Sequence, residues 1–433
     1  MQPANGRHRV VILGGGFGGL RAAKALAREP VEVTLIDQRN FHLFQPLLYQ
    51  VATGGLSPAN IAAPLRSLVR RQRNCRVILG KAIDFNLETK EVVLEDERVP
   101  FDTLIVSAGA KHSYFGNHQW ERFAPGLKTI EDATEIRRRV LSAFERAERV
   151  SSDAERARLL RFIVVGAGPT GVELAGTLIE IARHTLKKDF RRINPAEAHV
   201  LLIEAGPRLL PAFDPDLSED GAEALRRLGV DVRLKTMVVD ITDAGATVKS
   251  GDVEETLPAA TILWAAGVQG AVIGEALAKA AGIQRDRAGR LVVQPDFTLP
   301  GHPDIFVIGD LSTYADASGK MLPGVAPAAM QAGQFVASVI AARLSLAPIP
   351  EFHFKDPGSM ATIGRGAAVV KLGNWKFSGF FAWLTWLFVH LLFLVQFQNR
   401  LLVLMQWAWN YVTFNRSARL ITDTNRFLGE PEN

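Results

Sequence analysis

The sequence predicts an α/β chain of two parallel-sheet units, the second inserted in the first, followed by an apolar helical tail. Three observations carry this. An apolar run, a glycine cluster, a helical pattern, a second apolar run and an acid follow one another from Arg9 to Asp37. The same order returns from Arg161 to Glu204, and Phe377–Asn399 is a long stretch without a formal charge.

Val10–Leu13 has the β-branched character of a central parallel strand. In Gly14-Gly15-Gly16-Phe17-Gly18-Gly19, the residues Gly14, Gly16 and Gly19 satisfy G-x-G-x-x-G. The first glycine permits the tight turn, the second lets backbone approach a pyrophosphate, and the third lets helix pack on strand. Leu20–Arg28 continues as a helix whose unpaired N–H groups favour phosphate. Val31–Ile36 is the next strand, and Asp37 at its end is placed for two ribose hydroxyls. With all five parts in register, this is a dinucleotide site.

The segment after Asp37, NFHLFQPLLYQVATGGLSP, reads as a loop into a helix. Arg76–Gly80, Glu91–Leu94 and Phe101–Val106 read as strands, the last ending in Ser107-Ala108-Gly109. Small residues are expected where backbone lies close to a cofactor. The charged helical pattern Glu131–Arg158 links to the second unit. There Arg161–Val165 is a strand, and Gly166-Ala167-Gly168-Pro169-Thr170-Gly171 repeats the fingerprint with glycines at 166, 168 and 171. A helix is expected from Val172 to about Lys187, then a strand Val200–Ile203 ending in Glu204. That carboxylate bonds a free ribose 2′-OH and repels a 2′-phosphate, so NADH is preferred to NADPH, with Arg208 softening the preference. Ala259–Gly267 repeats the character of Asp102–Gly109, which puts Ala266 and Gly267 at a cofactor turn. The strand ending in Gly309-Asp310 reads as the chain's return to its first unit. These readings define two Rossmann-like dinucleotide-binding domains. The first, discontinuous, is 7–115 and 285–345; the second, for NADH, is 155–280; a C-terminal membrane-anchoring region is 346–433.

Composition excludes several function classes. The net charge is only +5 and the arginines are dispersed without interleaved aromatics, so nucleic acid is a poor partner and an anionic membrane surface a better one. A single cysteine, Cys75, leaves no disulfide and no C-x-x-C within one chain, which removes mechanisms that need a redox cysteine pair. No metal-ligand or iron–sulfur spacing is present. The opening MQPANGRHRV holds no apolar stretch, so the folded domain is expected to stay in the cytoplasm.

These motifs resemble the two-dinucleotide flavoproteins. FHLFQPLLYQVATGGLSP, GPTGVELAG, WAAGV and LPGVAPAAMQAG narrow the resemblance to the type II NADH dehydrogenases, single-chain NADH:quinone oxidoreductases. The resemblance implies FAD at Gly14–Gly19 and Asp37, with Ser107–Gly109 near its adenosine and Asp310 near its ribityl chain. It implies NADH at Gly166–Gly171, Glu204 and Ala266-Gly267. Glu173 would lie near the nicotinamide and the flavin, although a glutamate in a helix's first turn also has a plain electrostatic reason. Segment 325–331 would line the quinone site. The family pattern there is A-Q-x-A-x-Q, and here Ala326-Pro327-Ala328-Ala329-Met330-Gln331 has Pro327 in place of the first glutamine. Gln331 is the preferred quinone contact.

The tail carries Phe377–Asn399 and a second uncharged run, Leu401–Asn415, with Trp407, Trp409 and Tyr411. Three readings are open: helices lying in the membrane interface, a helix spanning the bilayer, or a surface buried in a homodimer. The first is preferred, with Arg400, Arg416 and Arg419 near anionic lipid. The resulting expectation is a non-pumping enzyme, monotopic on the cytoplasmic face of the membrane, passing electrons from NADH through FAD to a membrane quinone. The alternatives are a flavoprotein with a soluble acceptor and a redox-sensing protein resembling apoptosis-inducing factors.

Overall fold

The computed structural model describes residues 6–414 and 416–422. The chain forms two compact units. One holds Leu43 and what precedes it, Ala62–Lys111 and Val268–Pro357; the other holds Phe44–Ile61, His112–Gly267 and the chain from Gly358 on. The sequence boundaries do not mark the excursion 44–61. It is bracketed by an antiparallel pair, Phe41–Leu43 against Ala62–Pro64.

The first unit is organised on a six-stranded sheet. Its order is Thr298–Leu299, His302–Val307, Thr103–Val106, His8–Leu13, Val31–Asp37 and Cys75–Leu79. All neighbours are parallel except the first pair. Central strands of a parallel sheet are covered on both faces, which explains why Val10, Ile12, Leu35 and Ile105 are apolar and fully buried. The expected return of the chain is present, since Ile305 pairs with Leu104 and Val307 with Val106. Helices Phe17–Ala25 and Ala326–Ser345 pack closely on one another, and both contribute side chains to the apolar core on one face of this sheet. A Cβ on Gly333 would run into the carbonyl oxygen of Gly18, so glycine permits the approach.

The second unit repeats the plan with four parallel strands, in the order Asp231–Arg233, His199–Ile203, Arg161–Val165 and Thr261–Trp264. The expected helix 131–158 is two helices, Ile130–Arg149 and Asp153–Leu159. Val150 turns extended, and the side chain of Ser152 caps the second helix by accepting from the Glu155 N–H. The helix expected to reach Lys187 keeps α geometry only over Pro169–Glu180, then widens into a π turn at Ile181–Thr185.

The tail departs furthest from the sequence reading. Its first apolar run is divided between a strand Trp375–Gly379, a helix Phe380–Phe393 and the start of a second helix, Phe397–Thr413. Gln396, at φ +77°, makes the break. A 14-residue helix rises only about 21 Å against a hydrocarbon core of ~30 Å. Among the described residues no helix is long and apolar enough to cross a membrane. Arg416 is also corrected. It faces inward, pairing with Glu180 at 3.3 Å and donating to Thr53 Oγ1 at 3.2 Å. The physical reason is room: the strap after Phe414 lies over Gly54 and Gly55, and the Ala418 N–H donates to the Gly54 carbonyl at 3.2 Å. Arg419 pairs with Asp189, and Arg400 donates to the Leu394 carbonyl.

Candidate active site

Each glycine cluster folds into a clasp, and in each the three glycines do three different jobs. Gly14 takes φ +104°, its N–H donates to the Ile36 carbonyl at 2.8 Å, and a Cβ there would strike the Ser107 carbonyl. Gly19 lies against the Gly14 carbonyl oxygen, so a side chain would force helix and strand apart. Gly16 has nothing within 4 Å of where its Cβ would be. Packing within the protein therefore explains Gly14 and Gly19 but leaves Gly16 unexplained. An approaching phosphate explains it, which fits a dinucleotide at this turn.

Asp37 accepts from the N–H of Gly15 at 2.6 Å and of Arg39 at 2.7 Å. Burial holds its pKa above the usual aspartate value, with the two N–H donors opposing. Sequence reasoning missed His42, which is buried and bonded through Nδ1 to the Gly15 carbonyl at 2.9 Å. Burial lowers its pKa. A neutral ring donating from Nδ1 suits this acceptor, and Phe17 meets the ring edge-on at 5.1 Å. No spacing signal pointed to this histidine.

The other expected residues of this unit gather at the same sheet edge. The Ser107 N–H donates to the Leu13 carbonyl, Ala108 follows, and Gly109 takes φ +70°. The Ile308 N–H donates to Val106, which sets the Gly309–Leu311 turn and Asp310 one strand over. Ala326 begins the long helix and Pro327 sits in its first turn, where a missing N–H costs nothing. Gly18 lies beneath the Ala329 carbonyl. Gln331 is committed to the main chain of Lys355, donating at 2.8 Å and accepting at 2.9 Å. Each end of that amide keeps one further hydrogen-bonding capacity.

The second clasp repeats the first. Gly166 takes φ +100° and donates to Ile203 at 2.8 Å; Gly171 lies against the Gly166 carbonyl; Gly168 again faces open space. Pro169 and Thr170 open the helix. Glu204 accepts from Ala167 at 2.8 Å and Gly206 at 2.7 Å. Ala265 and Ala266 pack on Gly166, and Gly267 clears the ring of Phe115. Glu173 is recessed among protein atoms and accepts from the Thr362 N–H. Burial pushes its pKa well above the usual glutamate range.

A cleft of about 110 Å³ lies within the same unit, lined by Tyr49, Gln50, Glu180, Thr362 and the aromatic side chains of the two C-terminal helices. Arg365 lies over the rings of Tyr411 and Phe414 at 4.1 and 3.9 Å. Cys75 forms no disulfide, its thiol donates to the Arg76 carbonyl at 3.8 Å, and burial pushes its pKa up to about 11, so it is no nucleophile at neutral pH.

Residues 8–333 match the pyridine nucleotide-disulphide oxidoreductase family, and residues 357–416 match the NDH2 C-terminal domain. The type II NADH:quinone oxidoreductase Ndh of Mycobacterium tuberculosis is 47% identical over 429 residues, covering 97% of this chain and 92% of the relative. The chain belongs to the type II NADH:quinone oxidoreductases. A mitochondrial external NADH-ubiquinone oxidoreductase of Saccharomyces cerevisiae is 29% identical over 94% of this chain and 82% of its own length. The same fold appears in NDH2 from Plasmodium falciparum, solved in complex with NADH, at TM-score 0.88 and 22% identity. That match covers 96% of this chain and all of the other. Membership accounts for the lone cysteine: the type II enzymes pass electrons onward to quinone, with no disulfide to reduce.

Proposed function

We propose that the clasp at Gly14–Gly19 with Asp37 holds FAD, that the clasp at Gly166–Gly171 with Glu204 receives NADH, and that quinone is the final acceptor. The protein is an FAD-dependent NADH:quinone oxidoreductase. Bound FAD supplies a ring that takes a hydride and gives up two electrons. The observation that carries the assignment is the pair of glycines, Gly16 and Gly168, that face open space in otherwise crowded clasps.

The chain's own residues do the rest. Gly16 and Gly168 admit pyrophosphates, and Asp37 and Glu204 accept from ribose hydroxyls beside the backbone N–H groups that already donate to them. Ser107–Gly109, Gly309 and Asp310 border the first cofactor, and Ala266-Gly267 the second. Glu173 serves in the catalytic site, where a neutral carboxyl donates a hydrogen bond. Pro327 and Gln331 line the quinone path, with Gln331 using its remaining amide capacity. On this reading 7–115 with 285–345 is the FAD-binding domain and 155–280 the NADH-binding domain.

The C-terminal region, 346–433, is assigned to the membrane surface on the cytoplasmic face. Its end, 423–433, lies outside the described residues. The helices Phe380–Phe393 and Phe397–Thr413 leave Phe381, Phe388, Phe397, Met405, Trp409 and Val412 more than half exposed, which suits the acyl boundary. With Arg416 turned inward, Lys187 and Lys188 are exposed cations next in sequence to Asp189, the partner of Arg419. A homodimer would cover the same apolar surface.

Stopped-flow spectroscopy tests the scheme in two halves. NADH should bleach the yellow protein much faster than NADPH, and quinone should restore the colour. Flotation with anionic vesicles, against a detergent-free soluble dimer, tests the tail.

A further inference from the structure

We propose that Tyr49 donates a hydrogen bond to a carbonyl oxygen of the quinone, and that Gln50 and Trp407 hold its hydroxyl in that role. An indole N–H can only donate, and that of Trp407 lies 2.7 Å from Gln50 Oε1. This contact fixes which end of the amide is which. Gln50 Nε2 must therefore donate to the Tyr49 hydroxyl oxygen, at 3.0 Å. With its oxygen already accepting, Tyr49 has a proton left to give. Among the described residues no hydrogen bond from that hydroxyl is present.

Tyr49 and Gln50 both line the cleft of about 110 Å³, several times the ~10–15 Å³ that one water needs. Trp383, Trp386 and Leu387 give the cleft apolar walls. Glu180 is paired with Arg416 and also accepts from the Arg365 N–H, while the Arg365 guanidinium lies over the Tyr411 and Phe414 rings. A flat neutral ring with carbonyl acceptors meets both the apolar walls and the donor. As the acceptor takes electrons its oxygen gains negative charge, and a fixed donor is worth more to that state than to the oxidised quinone. Burial, with Glu173 and Glu180 nearby, raises the tyrosine pKa well above its ordinary value, so the proton stays on Tyr49. No group transfer is assigned to it.

This inference rests on the reading that quinone is the acceptor, and the test separates the two. Holoenzyme is reduced with NADH without oxygen, then mixed with menadione, ubiquinone-1 or ferricyanide. Tyr49→Phe should slow reoxidation by both quinones about five- to tenfold, the size of one hydrogen bond to a changing charge. Reoxidation by ferricyanide, which needs no such donor, should keep its rate. Trp407→Phe should act in the same direction, because the freed amide can turn and take the tyrosine proton onto its own oxygen. The double variant should be no slower than Tyr49→Phe alone, whereas independent packing defects would multiply. Quenching of the cleft tryptophans by menadione gives a dissociation constant without turnover, and it should weaken by a similar factor. Gln50→Leu leaves the tyrosine ring packed and serves if Tyr49→Phe does not fold. Unchanged quinone kinetics and binding in Tyr49→Phe would overturn the proposal, and additive losses would overturn the positioning role. Wild-type protein that ferricyanide reoxidises and neither quinone does would overturn the acceptor reading itself.

Discussion

The two clasps match in backbone and differ in what surrounds them. Position by position, Gly14, Gly16 and Gly19 correspond to Gly166, Gly168 and Gly171, with the same positive φ at the first, the same open space at the second and the same close carbonyl at the third. The residue after the first glycine differs. Gly15 would bring a Cβ within 2.6 Å of Leu65, whereas Ala167 is accommodated with its side chain fully buried. Two residues past the third glycine, Arg21 is exposed and Glu173 is recessed beneath Thr362. On the proposed assignment, the repeated part is what binds the pyrophosphate and ribose that the two ligands share. On the same assignment, the unrepeated part distinguishes a holder of a resident cofactor from a place for an exchanging substrate.

The largest effect should come from the third glycines. Gly19→Val and Gly171→Val each drive a side chain into the carbonyl that closes the turn. The first should purify without yellow colour. The second should stay yellow yet lose NADH bleaching on the order of a hundredfold, ~3 kcal/mol, as severe overpacking does. If both variants lose the flavin, the clasps are not separable and the comparison fails. Gly16→Ala and Gly168→Ala sharpen it further. Neither methyl meets protein atoms, so the thermal stability of the nucleotide-free protein should hold while only the matching nucleotide binds more weakly.

Next in size is Glu204→Gln. Removing the negative charge should narrow the NADH-to-NADPH ratio of bleaching rates about tenfold, ~1.4 kcal/mol. Asp37→Asn, at the matching place, should leave that ratio alone and show its effect on flavin retention. A smaller effect outside the clasps is expected from Gln331→Leu. Reoxidation by quinone should fall about fivefold, ~1 kcal/mol, with flavin reduction unchanged. A slowed reduction step would instead move Gln331 to the nicotinamide side.

The clasps were legible in the sequence because every part of a clasp is local. Glycines, helix start and terminal acid fall within a few dozen residues, and each position has its own steric reason. The return strand at Asp304–Asp310 was legible in another way: its apolar run ends in Gly-Asp, and the two glycine fingerprints earlier in the chain gave that turn its context. What was not legible depends on residues that meet only in the fold. Trp407 and Gln50 are 357 positions apart, and Arg416 and Glu180 are 236 apart. No periodicity announces such pairs, so Arg416 read as a lipid contact when it is an internal partner. The tail's break at Gln396 was hidden for another reason. An uncharged run looks continuous to hydropathy, and only backbone conformation shows that the chain turns there. His42 escaped notice because a buried histidine bonded to a glycine carbonyl leaves no motif.

The smallest predicted effect tests whether Glu173 differs from Arg21 in the way its surroundings imply. Burial raises the folded-state pKa of Glu173 above the ordinary value of 4.5. Below the unfolded value both states carry the proton, and the neutral carboxyl is buried at no charge cost. As pH rises from there toward the folded pKa, the unfolded chain releases its proton while the native state keeps it, so stability falls with pH across that window. Glu173→Gln keeps an acceptor for the Thr362 N–H and removes the ionisation. Its melting temperature should therefore equal that of the wild type near pH 4 and exceed it, on the order of 2 °C, at pH 8. Arg21→Gln has no buried charge to relieve, so its melting temperature should differ from the wild type by the same small amount at both values. The decisive measurement is the difference between the two pH values. A Glu173→Gln gap that stays flat would mean that the carboxyl is hydrated, and the contrast between the two helices would then be one of sequence alone.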